Sequence, residues 1–258
     1  GDRSGGVRVY QWIHNLEVWS LIGQELGGDR VASLFGISVA LSGDGQRLAV
    51  GSPYYGNSTQ GLSLNGRVRV YEYHHEKLRW LAMGDPLDGS RSLDWFGWDV
   101  DLDREGNLLV VGAPRNTQHG GYVQCFDYDG TQWNPFGDEI VNDVQPIKLD
   151  DRFGLSVSLD RETGKRIAIG APWKDSENGR DRNTGLVVVY EHVGDQWIRL
   201  GRQPLLGTSP NQQFGWTVAL AGSEFLAVGS PGIGRVDFHR WTGTLWDTVT
   251  GPLNGQEG

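Results

Sequence analysis

The chain has 258 residues, with 39 Gly, 10 Pro, 11 Trp, 8 Tyr, 8 Phe and a formal charge of -9. So many aromatic residues exclude a disordered chain, while Gly at about twice its usual ~7% share without a triplet repeat implies a β-rich body full of tight turns. The acidic balance, with no cluster of Lys and Arg, excludes a nucleic-acid binder, and no apolar run approaches the ~20 residues of a membrane helix.

In chain order, the first element is a Gly-x-Val run, Gly5-Gly6-Val7, followed by Trp19. The same pair recurs at Gly66-Arg67-Val68 with Trp80, Gly121-Tyr122-Val123 with Trp133, Gly185-Leu186-Val187 with Trp197, and Gly234-Arg235-Val236 with Trp246. Before each of the last four stands Phe-Gly, at Phe35, Phe96, Phe153 and Phe214, with spacings of 61, 57 and 61. Each Phe-Gly is followed by Gly51-Ser52-Pro53, Gly112-Ala113-Pro114, Gly170-Ala171-Pro172 or Gly229-Ser230-Pro231. Self-similarity at this period signals a repeat architecture.

Each unit holds four short runs, which in the first copy are Phe35–Leu41 (A), Arg47–Gly51 (B), Arg67–Tyr73 (C) and Leu78–Met83 (D). Alternating β-branched and aromatic residues bounded by Gly, Asp and Pro read as strands, and four strands in about 60 residues make a propeller blade. The A–B link, such as Ser42-Gly43-Asp44-Gly45, is a tight hairpin. The link from B to C varies in length and reads as an exposed loop. The predicted fold is an all-β propeller in one domain, residues 1–258. It comprises a half-blade over 5–34, which has C and D alone, and complete blades starting at 35, 96, 153 and 214. Five blades are thus visible, within a ring that extends further if A and B of the half-blade lie elsewhere. Neither end is capped, so we expect a segment of a longer polypeptide. The alternatives are a five-bladed ring with one thin blade and a pairing strand from a partner.

In strand C, Tyr10, Tyr71, Phe126, Tyr190 and His239 form one column, and Trp12, Tyr73, Tyr128, His192 and Trp241 form a second, two residues on. Residues i and i+2 share a face, so both columns are stacking positions, the two histidines included. Cys125 has no intrachain partner and reads as a buried core thiol. The inner strand carries Ser38, Asp99, Ser156 and Thr217 at equivalent positions. Asp99 alone breaks the hydroxyl pattern, and one carboxylate without a neighbouring acid or base is a poor catalyst.

Phe-Gly at the start of one strand and Gly-Ala-Pro or Gly-Ser-Pro at the end of the next resembles the FG-GAP repeat family, best known from the propellers of integrin α subunits. That resemblance implies a non-enzymatic module, extracellular or on the cell surface, that binds protein or glycan partners through its loops in adhesion. Tyr54, Tyr55 and Trp173, at the starts of B–C loops, are the candidate binding residues. Asn57-Ser58-Thr59 is a glycosylation sequon, with Asn57 as acceptor. Several blades of the family carry a calcium loop between A and B. Here Phe and the Gly of Gly-x-Pro are only 16, 16, 17 and 15 positions apart, which leaves a hairpin. Asp101, Asp103 and Glu105 come nearest to a metal-ligand set, but neither calcium nor another cofactor is expected. Two alternatives stand beside this reading. One is a scaffold subunit of a large assembly docking through open blade edges. The other is a propeller hydrolase or lyase.

Overall fold

The computed structural model describes residues 4–115, 119–249 and 251–255. Its regular structure is all-β apart from two single 3-10 turns, Ser58–Gln60 and Pro231–Ile233. None of its helices is long and apolar enough to cross a membrane.

The N-terminal pair is β1 (Gly6–Ile13) and β2 (Val18–Gly27). The first full sheet contains β3 (Val39–Leu41), β4 (Arg47–Ser52), β5 (Arg67–His74), β6 (Arg79–Ala82) and β7 (Leu87–Asp88). The second contains β8 (Asp99–Leu102), β9 (Leu108–Ala113), β10 (Tyr122–Tyr128), β11 (Trp133–Pro135) and β12 (Ile140–Val141). The third contains β13 (Ser156–Leu159), β14 (Arg166–Ala171), β15 (Leu186–Val193), β16 (Gln196–Arg199) and β17 (Leu205–Leu206). The fourth contains β18 (Thr217–Ala221), β19 (Phe225–Ser230), β20 (Arg235–Trp241), β21 (Trp246–Thr248) and β22 (Leu253–Asn254). In every full sheet the strands run antiparallel in sequence order, and the last short strand pairs back with the third. The predicted strand D is therefore two segments, β6 and β7 in the first sheet, both bonded to β5. Strand A begins later than the sequence suggests, at Val39 rather than Phe35 in the first sheet.

The sheets stack face to face, so their middle strands are apolar on both sides. β9 and β14 show this in Leu-Leu-Val-Val-Gly-Ala and Arg-Ile-Ala-Ile-Gly-Ala, buried from end to end except for Arg166. A core layer fills each interface: Val9 and Leu26 meet Leu48 and Trp80, then Ala49 and Val68 meet Val111 and Trp133. Val110 and Cys125 meet Ile167 and Ile169, and Ala168 and Val187 meet Phe214 and Trp246. Burial pushes the Cys125 thiol pKa up, so it stays protonated in this core.

The glycine columns have a common physical cause. The Phe-Gly amide donates to the Gly-x-Pro glycine carbonyl of its own sheet in all four, from Gly36 to Gly51, Gly97 to Gly112, Gly154 to Gly170 and Gly215 to Gly229, at 2.9 to 3.1 Å. Between sheets the backbones nearly touch, since a Cβ on Gly51, Gly112 or Gly170 would lie 2.0 to 2.1 Å from the carbonyl oxygen of Gly97, Gly154 or Gly215. No side chain fits there, so the motif is a packing device of the blade interface.

The D-strand indoles add a second link. Trp80, Trp133 and Trp197 each donate Nε1 to a carbonyl of the preceding sheet, at Ile22, Met83 and Phe136. Each second-column ring of strand C packs at a tilt against the D-strand Trp of its own sheet, with centroids 4.9 to 5.5 Å apart and planes 45 to 60° from parallel in all five pairs. Of the five D-strand Trp residues only Trp19 is exposed, at 67%, because no described sheet packs outside β1 and β2.

Candidate functional site

The inner strands β3, β8, β13 and β18 lie side by side, and the ends at which they begin surround one mouth. There a cavity of about 520 Å³ is lined by Ile37, Ser38, Trp95, Trp98, Asp99, Arg152, Leu155, Ser156, Trp173, Trp216 and Thr217. The lining follows the repeat. Trp95 and Arg152 each precede the Phe of Phe-Gly. Ile37, Trp98, Leu155 and Trp216 stand two residues after that Phe, and Ser38, Asp99, Ser156 and Thr217 three after. Trp173 directly follows Gly-x-Pro.

Local backbone geometry aims the first pair. The residue before Phe is left-handed in each repeat, with φ of 58° at Leu34, 58° at Trp95, 61° at Arg152 and 57° at Gln213. Such a φ costs an L-residue about 1–2 kcal/mol, and neighbouring hydrogen bonds hold it in place. The Trp95 amide donates to Leu64 O at 3.3 Å and the Phe96 amide to Asn65 O at 3.1 Å.

The floor is a chain of side-chain to backbone bonds between sheets. Ser38 Oγ accepts the Val100 amide at 3.1 Å, Asp99 Oδ2 the Val157 amide at 2.8 Å, and Ser156 Oγ the Val218 amide at 3.1 Å. Asp99 thus does the same stitching as its serine equivalents, with a carboxylate in place of a hydroxyl. Its Oδ1 accepts from Ser38 Oγ at 2.9 Å and from the Val100 amide at 3.1 Å. Burial nevertheless dominates and pushes the Asp99 pKa up to about 6, with nearby Asp101 adding to the rise. A carboxyl group shifted this far takes up and releases its proton close to neutral pH.

The walls are aromatic and cationic. Trp95 and Trp98 stack with centroids 5.1 Å apart and planes 18° from parallel, and Tyr54 lies 5.3 Å from Trp95. The Arg152 guanidinium sits 5.1 Å from the Trp95 ring and 4.8 Å from the Trp173 ring, while Arg115 sits 4.7 Å from Trp95. Burial and the Arg115 charge together lower the Arg152 pKa.

Of the predicted binding residues, Tyr54 and Trp173 join this cluster. Tyr55 is buried elsewhere, with the Arg67 guanidinium 3.7 Å from its ring. Asn57 is also buried, its Nδ2 donating to Asp88 Oδ2 at 2.9 Å and its Oδ1 accepting from Thr59 Oγ1 at 2.6 Å. Asp101, Asp103 and Glu105 do not converge. Asp101 accepts from the Leu159 amide at 3.0 Å and Arg161 Nη2 at 2.8 Å, Asp103 caps its hairpin through the Asn107 and Leu108 amides, and Glu105 is exposed. Among the described residues no group of three His, Cys, Asp or Glu is arranged to hold a metal ion. Sequence reasoning missed Trp95, Trp98, Arg115, Arg152 and Trp216. Their signal was variation in the columns flanking the uniform Phe-Gly and Gly-x-Pro.

No family profile matches the chain, and no curated protein matches it in sequence. Solved structures do match. The periplasmic gluconolactonase of Pseudomonas aeruginosa aligns with TM-score 0.60 and 14% identity, over 97% of this chain and 64% of that one. A proposed 6-phosphogluconolactonase of Bacteroides uniformis gives 0.60 and 8%, over 96% and 64%. Hydrazine synthase of Kuenenia stuttgartiensis gives 0.53 and 16%, over 90% and 61%. The chain therefore spans 61 to 64% of the length of these structures, and the likeness is one of β-propeller fold. It corrects the functional expectation. All three carry the names of enzymes and none that of an adhesion protein, so the integrin-like, FG-GAP reading as a non-enzymatic cell-adhesion module or scaffold is set aside.

Proposed function

We propose that the chain forms four complete blades and an N-terminal half-blade of a propeller hydrolase that opens a lactone ring. The observation that carries this reading is a single carboxylate, Asp99, with its pKa raised to about 6, on the floor of an aromatic-walled cavity at the channel mouth. The names of two similar structures support the reaction class, and the word periplasmic in one of them supports a site of action outside the cytoplasm.

In this reaction Asp99 takes a proton from a water molecule as the water oxygen bonds to the ring carbonyl carbon. The ring C–O bond then breaks, and the departing alkoxide takes up the proton. Lactone and water become one open-chain hydroxy acid, and the carboxylate is regenerated. Indole faces of Trp95, Trp98, Trp173 and Trp216 offer flat apolar walls against the C–H faces of a sugar-derived ring.

The test is turnover of five- and six-membered sugar lactones by the full-length protein, followed as acid release above the spontaneous rate. Asp99→Ser keeps an oxygen for the Val157 amide, as Ser38 and Ser156 do for theirs, and removes the base. We expect it to fold normally and to lose about 10²- to 10⁴-fold in kcat. Full activity in that variant, or no turnover of any lactone by the wild type, would refute the proposal.

A further inference from the structure

Three residues of the cavity wall carry a side-chain N–H donor that is shielded from solvent and has no partner within the chain: Arg152 Nη1, Trp95 Nε1 and Trp173 Nε1. Buried donors are almost always satisfied. These three unpaired donors leave the wall short of acceptors.

Charge points the same way. Among the described residues neither Arg152 nor Arg115 forms a salt bridge with a carboxylate, although the chain carries nine more acidic than basic residues. Elsewhere the buried cation Lys174 is matched to Asp151 at 3.2 Å and the half-buried Arg67 to Asp88 at 2.6 Å. At the mouth, two guanidiniums instead share the rings of Trp95 and Trp173, a face-on arrangement that holds them in place while leaving N–H edges for another acceptor. Asp150, the acid that acts on the Arg152 charge, is exposed and forms no salt bridge with it, and Asp99, which lines the same cavity, accepts from Ser38, Val100 and Val157 rather than from Arg152.

We propose that Arg152 and Arg115, held over the rings of Trp95 and Trp173, form an oxyanion subsite that binds a phosphate or carboxylate group carried by the substrate. This rests on the hydrolase reading for the word substrate, but the anion site itself stands on the two guanidiniums. Guanidiniums free of carboxylate partners are a standard means of recognising both groups.

Two measurements on the full-length protein separate the claims. The first is intrinsic tryptophan fluorescence during titration with inorganic phosphate, and then with acetate, at constant ionic strength. Saturable quenching is expected. Arg152→Ala should weaken it at least tenfold, Arg152→Lys should recover some of it, Arg115→Gln should weaken it by a smaller factor, and Arg202→Ala, an exposed control outside the cavity, should not change it. The second compares kcat/KM for a lactone bearing a phosphate monoester with that for the same lactone without it, where a preference of at least tenfold is expected and should collapse in Arg152→Lys. Phosphate binding without any lactone turnover would sink the hydrolase reading and leave the anion site standing. Turnover with no phosphate-dependent quenching would overturn the anion site. Quenching without a substrate preference would overturn its assignment to the substrate and point to free anion or released product.

Discussion

Asp99 occupies a position where the other repeats place Ser or Thr, and that single exchange makes its pH behaviour measurable. Its folded pKa is about 6 against an ordinary value of 3.8. The folded state therefore binds the Asp99 proton more tightly than the unfolded state does. The stabilisation this provides is complete below pH 3.8 and is lost as pH rises to about 6. The loss is on the order of 2–3 kcal/mol. Catalysis runs the opposite way, since the base works only when ionised. We expect kcat/KM to rise through about pH 6, while the urea midpoint of the wild type falls across the same interval. In Asp99→Ser the midpoint should lack that fall, and wild-type and variant profiles that coincide would show that Asp99 titrates at an ordinary carboxyl pKa.

At the scale of the element, two glycines make different demands. Gly112 lies inside β9 with an ordinary φ, and a Cβ there would meet Gly154 O at 2.1 Å. Gly222, in the hairpin from β18 to β19, has φ of +60° and open space around its Cα. Gly112→Ala must push adjacent sheets apart, and we expect a loss of about 3 kcal/mol or more. Gly222→Ala carries backbone strain alone, worth about 1 kcal/mol. Urea unfolding of both variants checks the order, and equal losses would mean that the sheets yield easily at the glycine column. The same contact explains why Phe-Gly and Gly-x-Pro are so uniform along the chain while the residues beside them vary: the motif residues face another backbone, and their neighbours face the mouth.

Over the whole molecule, successive sheets are joined by a few specific links in addition to apolar burial. The pair β1–β2 is fastened to the first full sheet by Gln24, whose Nε2 donates to Trp80 O at 2.8 Å and whose Oε1 accepts the Trp80 amide at 3.0 Å. Gln24→Ala should speed hydrogen exchange across residues 6–27 and leave β8 to β17 protected, because repeat sheets open as separate units. Uniform acceleration throughout would indicate one cooperative body. The order of strands A to D, the sheet period and the paired aromatic columns were legible in the sequence, because each follows from a local rule repeated every 57 to 61 residues. Strand D could not be read as two segments, since its break depends on how β7 pairs back with β5. Tyr54 and Trp173 were found in the sequence, whereas Arg152 and Trp95 were hidden, because their direction comes from a left-handed backbone that no composition reveals. Sequence alone therefore determined the repeated sheet, through periodic side chains and obligatory glycines. Only the tertiary structure decided the site, because residues from different sheets, about 60 positions apart in the chain, meet solely where the inner strands converge.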